Sequence, residues 1–223
     1  MQAWWTPQGW WRALKREWLI YHLGLPEFRF MFEPPPPNEW VSLDCETTGL
    51  DVAKDEIISI GAVRIVGNRL MTSERFEVLV RPERGVSADS VRIHRLREQD
   101  VAEGLPVDEA VKRLMRFIGS RPLVGYYLEF DVAMLNRAIW PLLGQGLPQP
   151  KIEVSGLYYD HKFKQLPPHR QQGTPDIDLR FNTLMADLKL PVREAHDALN
   201  DAVMAGMAFI KLRQLMGAHS GRP

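Results

Sequence analysis

Residues 40–80 decide the fold class of this 223-residue chain, and they read WVSLDCETTGLDVAKDEIISIGAVRIVGNRLMTSERFEVLV. Three runs with apolar residues at strand spacing, at 40–44, 56–66 and 75–80, predict β-strands. Gly67 and Asn68 predict a turn that joins the second run to the third. The segment therefore predicts a sheet whose first three strands are connected by short turns.

The rest of the chain alternates between helical and strand patterns. We expect helices at 107–118, at 130–140 where Pro141 ends the pattern, at 179–188 and at 197–215. Short strands are predicted at 122–126 and 151–157, and a polar loop at 160–176. This alternation predicts an α/β fold in which a mixed five-stranded sheet is flanked by helices.

Composition and charge exclude several classes of protein. Hydrophobic residues make up 45% of the chain and charged residues 25%, which excludes wholesale disorder and fibrous repeats. Lys plus Arg and Asp plus Glu both number 28, so any contact with nucleic acid must be local. The single cysteine, Cys45, favours a reducing compartment. No run approaches the roughly 20 apolar residues of a membrane span, and no secretory signal is recognisable, so we expect a cytoplasmic protein.

Residues 1–37 differ in composition from the rest of the chain. Five of the seven tryptophans lie in the first 18 positions, and Thr6 followed by Pro7 predicts the start of a helix that ends near Gly24. The run of four prolines at 34–37 predicts a stiff linker. We therefore divide the chain into a Trp-rich helical extension at 1–37, a main domain at 38–216 and a tail at 217–223.

The helix of this extension has an apolar stripe on one face, made of Trp11, Leu14, Trp18 and Tyr21. Three interpretations stay open. The stripe packs on the main domain or on a second copy of the chain, it docks to another protein, or it contacts a membrane interface.

The densest chemistry of the sequence follows the first strand, in the segment 43–50, LDCETTGL. Asp44 and Glu46 are two residues apart, so they project from the same face of the strand. Neighbouring carboxylates beside an apolar strand repel each other unless a cation lies between them, and oxygen ligands favour Mg²⁺ or Mn²⁺ over Zn²⁺. A solvated strand end is the alternative for this pair taken alone.

Two later segments supply further acids. Asp131 lies in the first turn of a predicted helix, where capping and metal binding are both open. Asp197 can cap the last helix, whose small residues Ala198, Ala202 and Ala205 allow close packing on a sheet. Asp201 borders this alanine stripe, so its carboxylate is expected to lie against the sheet.

Three motifs follow one another along the chain: Asp44-x-Glu46-Thr-Thr-Gly, then Phe130-Asp131, then His196 with Asp201 five residues later. Together they resemble the DEDDh class of 3′-to-5′ exonucleases over residues 38–216. This resemblance implies a ribonuclease H-like fold and phosphodiester hydrolysis. It implies that two Mg²⁺ or Mn²⁺ ions are held by Asp44, Glu46, Asp131 and Asp201, and that His196 is the general base.

The resemblance also implies contacts with the 3′ end of a nucleic acid, and we take single-stranded DNA as the preferred substrate. The predicted substrate-binding residues are Thr47, Thr48, Gly49, Leu50, His94, Tyr127 and Phe130. The chain departs from the family pattern at 126–127, where Tyr-Tyr replaces His-Asn. An RNA-trimming exonuclease and a non-catalytic nucleic-acid-binding or scaffold module remain the alternatives.

Overall fold

The central sheet of the computed structural model has five strands in the order β3-β2-β1-β4-β5. The structure describes residues 7–85, 97–173, 175–193 and 197–220. The strands are β1 (Glu39–Thr47), β2 (Ile57–Val66), β3 (Arg69–Leu79), β4 (Leu123–Gly125) and β5 (Lys151–Glu153). β1 and β3 pair antiparallel with β2, whereas β4 pairs parallel with β1 and with β5. The predicted mixed five-stranded sheet is confirmed.

Helices cover both faces of this sheet. They are α1 (Pro7–Tyr21), α2 (Glu98–Val101), α3 (Val107–Ile118), α4 (Leu128–Leu143), α5 (Val154–Gln165), α6 (Phe181–Asp187) and α7 (Ala198–Ser220), with 3-10 helices at Pro26–Phe32 and Pro168–Arg170. The predicted helix at 107–118 is confirmed at both ends. In the parts of the chain that the structure describes, no helix is long and apolar enough to cross a bilayer.

The prediction that Pro141 ends its helix is wrong. α4 continues to Leu143, and Gly144 ends it in the left-handed conformation, with φ 69° and its N–H 2.8 Å from the Trp140 carbonyl oxygen. A proline in the last turn removes one intrahelical hydrogen bond from a helix that is about to end, so the cost of continuing is small.

The predicted strand at 151–157 and the loop from residue 160 are also partly wrong. β5 ends at Glu153, whose carboxylate accepts hydrogen bonds from the backbone N–H of Ser155 at 3.2 Å and from its hydroxyl at 2.8 Å. This cap starts α5, which runs on to Gln165. The polar composition concealed a helix because its buried side is built from Val154, Tyr158 and His161.

Two hydrophobic clusters lie on opposite faces of the sheet. One contains Val41 and Leu43 of β1 together with the buried residues of α3 and α4, and the other contains Val124 of β4 with those of α5, α6 and α7. Phe28, Met31 and Phe32 of the first 3-10 helix also belong to the first cluster. The division of the chain at residue 37 stays a prediction.

The aromatic stripe of α1 does not pack on the main domain. Trp11, Trp18 and Tyr21 are 75%, 60% and 85% exposed, and the helix instead contacts the first cluster through Leu19 and Ile20. Packing of the stripe on the main domain is therefore wrong, because the Leu19 and Ile20 side chains, which lie off the stripe, face the core, whereas packing on a second copy stays a prediction. The other interpretations stay predictions.

α7 approaches the sheet closely enough to bring its first turn onto β1 and β2. Ala198, Ala202 and Ala205 are buried, as the small-residue pattern predicted. A Cβ atom added to Gly61 of β2 would lie 2.2 Å from the carbonyl carbon of Ala198, which no real contact permits. Only a glycine in β2 admits the helix at this distance.

Candidate active site

Three carboxylates converge where β1 ends beneath the start of α7. Asp44 and Glu46 of β1 and Asp201 of α7 each offer an oxygen, and these three oxygens lie within 4.8 Å of one another. Asp197 caps α7, since its Oδ1 accepts the N–H of Asn200 at 2.8 Å. The cap and the close packing on Gly61 together place Asp201 over β1.

Asp131 reaches the same strand from the other side. It lies in the first turn of α4, is 4% exposed, and its Oδ1 accepts the backbone N–H of Cys45 at 3.1 Å. The approach depends on Gly125, where a Cβ would lie 3.0 Å from the Leu43 carbonyl oxygen. The carboxyl group is therefore held beside β1, between the positions of Asp44 and Glu46 along the strand.

Burial and mutual repulsion raise the pKa values of this group of acids. Desolvation and then the charges of Asp131, Asp201, Glu46 and Asp197 hold the pKa of Asp44 well above its ordinary value. Burial, with Asp201 and Asp197, raises the pKa of Glu46 to about 7. Burial raises the pKa of Asp131 to about 8 even though backbone hydrogen bonds oppose the shift. The neighbouring charges that raise the pKa values of Asp44 and Glu46 are all those of other carboxylates.

This donor set fits a divalent metal ion. The ligand atoms are all carboxylate oxygens, which are the ligands that Mg²⁺ and Mn²⁺ prefer. A cation among them would remove the repulsion that raises the pKa values of Asp44 and Glu46. The acidic cluster is therefore suited to a metal, as the sequence predicted for these residues.

A cavity of about 470 Å³ opens beside the acids and contains residues that the sequence analysis missed. Its lining consists of Asp44, Tyr126, Arg180, Phe181, Asn182, Thr183 and Asp201. Arg180 is held by the carboxylate of Asp178, with Nη2 2.6 Å from Oδ2, and Thr183 donates to the same oxygen at 2.8 Å. The signal available in the sequence was an Asp-x-Arg step directly before a helix.

Tyr126, the first of the two residues that depart from the family pattern, also lines this cavity. The ring of Tyr126 lies 4.6 Å from that of Phe181, and its hydroxyl donates to the Leu179 carbonyl oxygen at 3.0 Å. Tyr127 is 69% exposed in the left-handed conformation, with φ 56°. Phe130, predicted to bind substrate, is half-buried and packs against the first hydrophobic cluster.

Glu153 holds the start of α4 in this arrangement. Its two carboxylate oxygens accept the backbone N–H groups of Tyr127 at 3.1 Å and Leu128 at 2.9 Å. The same carboxylate caps α5. One side chain therefore positions both the exposed Tyr127 ring and the helix that carries Asp131.

The loop after β1 is stiffened by its own threonines. Thr47 donates to the Gly49 carbonyl oxygen at 2.7 Å, and Thr48 donates to Asp55 at 3.1 Å. Gly49 lies so close to the Asp55 carboxylate that a Cβ would be 2.5 Å from it. Leu50 stands at the exposed end of the loop, 85% accessible.

Two predicted residues, His94 and His196, lie outside the described residues. His196 directly precedes Asp197 in the sequence. Its assignment as general base stays a prediction.

Comparison with known proteins identifies the family of this chain. The family model for RNase T exonucleases matches residues 41–209. The chain belongs to this exonuclease family. It is 31% identical over 181 residues to a DNA polymerase III subunit epsilon-like protein of Rhodobacter capsulatus, covering 78% of this chain and 23% of that protein. It is 24% identical over 173 residues to the DNA polymerase III subunit epsilon of Aquifex aeolicus, covering 78% of this chain and 79% of that one.

Solved structures share the fold of this exonuclease family member. The zinc-bound complex of Escherichia coli exonuclease I with single-stranded DNA superposes with a TM-score of 0.67 at 16% identity, over 82% of this chain and 42% of that chain. The DEDDh-type, ribonuclease H-like fold expected from the sequence is confirmed.

Proposed function

We propose that this chain is a metal-dependent 3′-to-5′ exonuclease that acts mainly on single-stranded DNA and releases 5′-nucleoside monophosphates. The observation that carries the proposal is the convergence of Asp44, Glu46 and Asp201 within 4.8 Å, with Asp131 bonded to the same strand. Membership in the exonuclease family and the DNA complex of the related exonuclease I support the reaction class and the substrate.

Asp44, Glu46, Asp131 and Asp201 would hold two Mg²⁺ or Mn²⁺ ions. When bound, such a pair of ions lowers the pKa of a water nucleophile and stabilises the negative charge of the departing 3′ oxygen. The carboxylates come from three elements, with Asp44 and Glu46 on β1, Asp131 on α4 and Asp201 on α7, and the Gly61 contact holds α7 against the sheet. Their separate origins explain why the site needs the whole fold.

Other residues of the chain would bind and orient the 3′ end. His196 accepts the proton of the attacking water, a role suited to an imidazole near neutral pH. Leu50 and the backbone of 47–49 contact the terminal nucleotide, with His94 and Tyr127 beside it. Arg180 contacts a phosphate at the cavity mouth.

The neutral net charge of the chain favours a short grip on the last nucleotides over extended duplex binding. We place this activity in residues 38–216. Because the chain has a single cysteine, which fits a reducing compartment, we assign the protein to the cytoplasm.

The test is degradation of 5′-labelled single-stranded DNA, duplex DNA and single-stranded RNA by the purified full chain, with Mg²⁺, Mn²⁺ or EDTA. We expect stepwise shortening from the 3′ end, fastest on single-stranded DNA and abolished by EDTA. Asp44→Asn and Asp201→Asn should reduce the rate to background, and His196→Ala should reduce it about 10²- to 10⁴-fold.

Asp108→Asn is the matched control, because this aspartate is exposed on α3 and forms an ion pair with Lys112, 3.4 Å away, on the same helix. If RNA is shortened faster than DNA, the substrate is RNA and not DNA. Intact substrates of all three kinds, with DNA binding unchanged by EDTA, would instead identify a non-catalytic binding module.

A further inference from the structure

A large apolar surface on α1 has no role in the proposed activity. It consists of five side chains, which we call the α1 stripe, and they are strongly exposed: Trp10 61%, Trp11 75%, Leu14 59%, Trp18 60% and Tyr21 85%. A groove of about 980 Å³ runs along it. Clustered exposure of this kind marks an interaction surface, because single exposed apolar residues are ordinary and contiguous patches are not.

Other residues of α1 contact the rest of the chain. Leu19 and Ile20 pack against the first hydrophobic cluster. The Arg16 Nε donates to the Phe32 carbonyl oxygen at 2.7 Å, and the Gln145 Nε2 donates to the Leu19 carbonyl oxygen at 2.9 Å. Rotating the α1 stripe inward would break these contacts, so the stripe is held facing outward.

The spacing within the stripe is that of a helix which pairs with another helix. Trp11, Leu14, Trp18 and Tyr21 are separated by three, four and three residues, the repeat by which two helices form a common apolar seam. Trp10 broadens this seam on one side. We propose that the α1 stripe is a self-association surface, on which the α1 stripe of a second copy of this chain packs.

The available area agrees with a dimer. A fully buried aromatic side chain contributes about 150–250 Å². Weighted by the exposed fractions, the four aromatic side chains of the α1 stripe offer roughly 400–700 Å², to which Leu14 adds. A stable interface takes about 800 Å² from each partner, and the rim residues Lys15 and Glu17 that border the groove can supply the difference.

The charges around the groove favour a protein partner over a bilayer. Lys15 and Arg29 border it together with Glu17, and Arg16 bonds to Glu17 at 2.6 Å. A helix that binds an anionic membrane has a strongly basic polar face, whereas this rim has both signs. A rim of mixed charge is typical of a protein interface, where the polar edge surrounds an apolar centre.

The experiment measures the mass of the full chain in solution by sedimentation at a series of concentrations. We expect a monomer–dimer equilibrium for the wild type. Trp18→Glu should weaken the dimer about 30-fold or more, since buried tryptophans dominate such interfaces. Trp140→Glu is the matched control, because Trp140 has the same exposed fraction, 60%, but lies on α4 outside the stripe. It should leave the dimer unchanged.

Circular dichroism and DNA degradation by each variant establish that it is folded, since neither tryptophan belongs to the candidate active site. A wild-type monomer at all concentrations overturns the proposal, as does an equal effect of Trp18→Glu and Trp140→Glu. Flotation of a monomeric wild type with vesicles of anionic phospholipid would overturn it in favour of a membrane contact.

Discussion

Gly61→Ala tests whether the contact between α7 and β2 sets the geometry of the acids. Gly61 pairs with Asp44 across β1 and β2, and the added Cβ would lie 2.2 Å from both the Ala198 carbonyl carbon and the Leu199 nitrogen. Both are backbone atoms, so no side-chain rotation can relieve the overlap. The start of α7 must move away from the sheet by about 1 Å to restore an ordinary contact.

That displacement reaches Asp201 directly. Its N–H donates to the Asp197 carbonyl oxygen at 2.9 Å, so the first turn of α7 moves as one unit. A misplacement of about 1 Å in a catalytic group costs on the order of 10²-fold in rate. Overpacking of this kind costs about 1–3 kcal/mol of stability, which a folded domain of this size tolerates.

The assay combines kcat/KM for release of nucleotides from single-stranded DNA with urea unfolding of the same preparation. We expect Gly61→Ala to lose about 10²-fold in kcat/KM and about 1–3 kcal/mol in the free energy of unfolding. Gly217→Ala on the same helix is the control, since no atom of the described residues lies within 4 Å of the added Cβ. Wild-type rate and stability in Gly61→Ala would refute the close contact and the placement of Asp201 that depends on it.

Three further outcomes follow from the site. Because burial raises the pKa of Asp131 from 3.8 to about 8, its contribution to the stability of the metal-free protein should be most favourable below about pH 4 and should be lost as the pH rises toward 8. Urea unfolding in EDTA at about pH 4 and pH 8 should show a smaller loss of stability for Asp131→Asn than for the wild type. An equal loss in the two proteins would contradict the raised pKa of Asp131. Glu153→Gln removes one of the two oxygens that accept the amides of α4, so we expect a loss of about 1–3 kcal/mol in the free energy of unfolding and a fall in kcat rather than a rise in KM. Steady-state kinetics with equal kcat for wild type and Glu153→Gln would show that the cap is purely structural. Arg180→Ala should raise KM for DNA more than it lowers kcat, measured against Arg69→Ala at the exposed start of β3, and equal KM values for the two variants would exclude Arg180 from substrate binding.

Local patterns in the sequence predicted those parts of the fold in which neighbouring residues decide the conformation. The helix at 107–118 has a regular apolar spacing and a glycine at its end, and both of its limits are confirmed. The prediction failed at Pro141 and at 154–165, where a helix cap and a buried face outweighed the local propensity. These are tertiary effects on secondary structure.

Some residues of the candidate site were predictable from local patterns in the sequence, and others were not. Asp44 and Glu46 were predictable as a pair, because residues two apart on a strand share a face. The roles of Glu153 and Arg180 were not predictable from the sequence. Glu153 accepts a hydrogen bond from a residue 25 positions away, and Arg180 lines a cavity that no local pattern describes.

The sequence by itself determined the α/β fold class, the exonuclease family and which acids are candidates for the site. Only the tertiary structure decided how close the acids come and which way the α1 stripe faces. The physical reason is that spacing along a chain determines the face of an element on which a side chain lies, whereas distances between elements depend on packing. Here that packing rests on contacts such as Gly61 against Ala198, which join parts of the chain far apart in sequence.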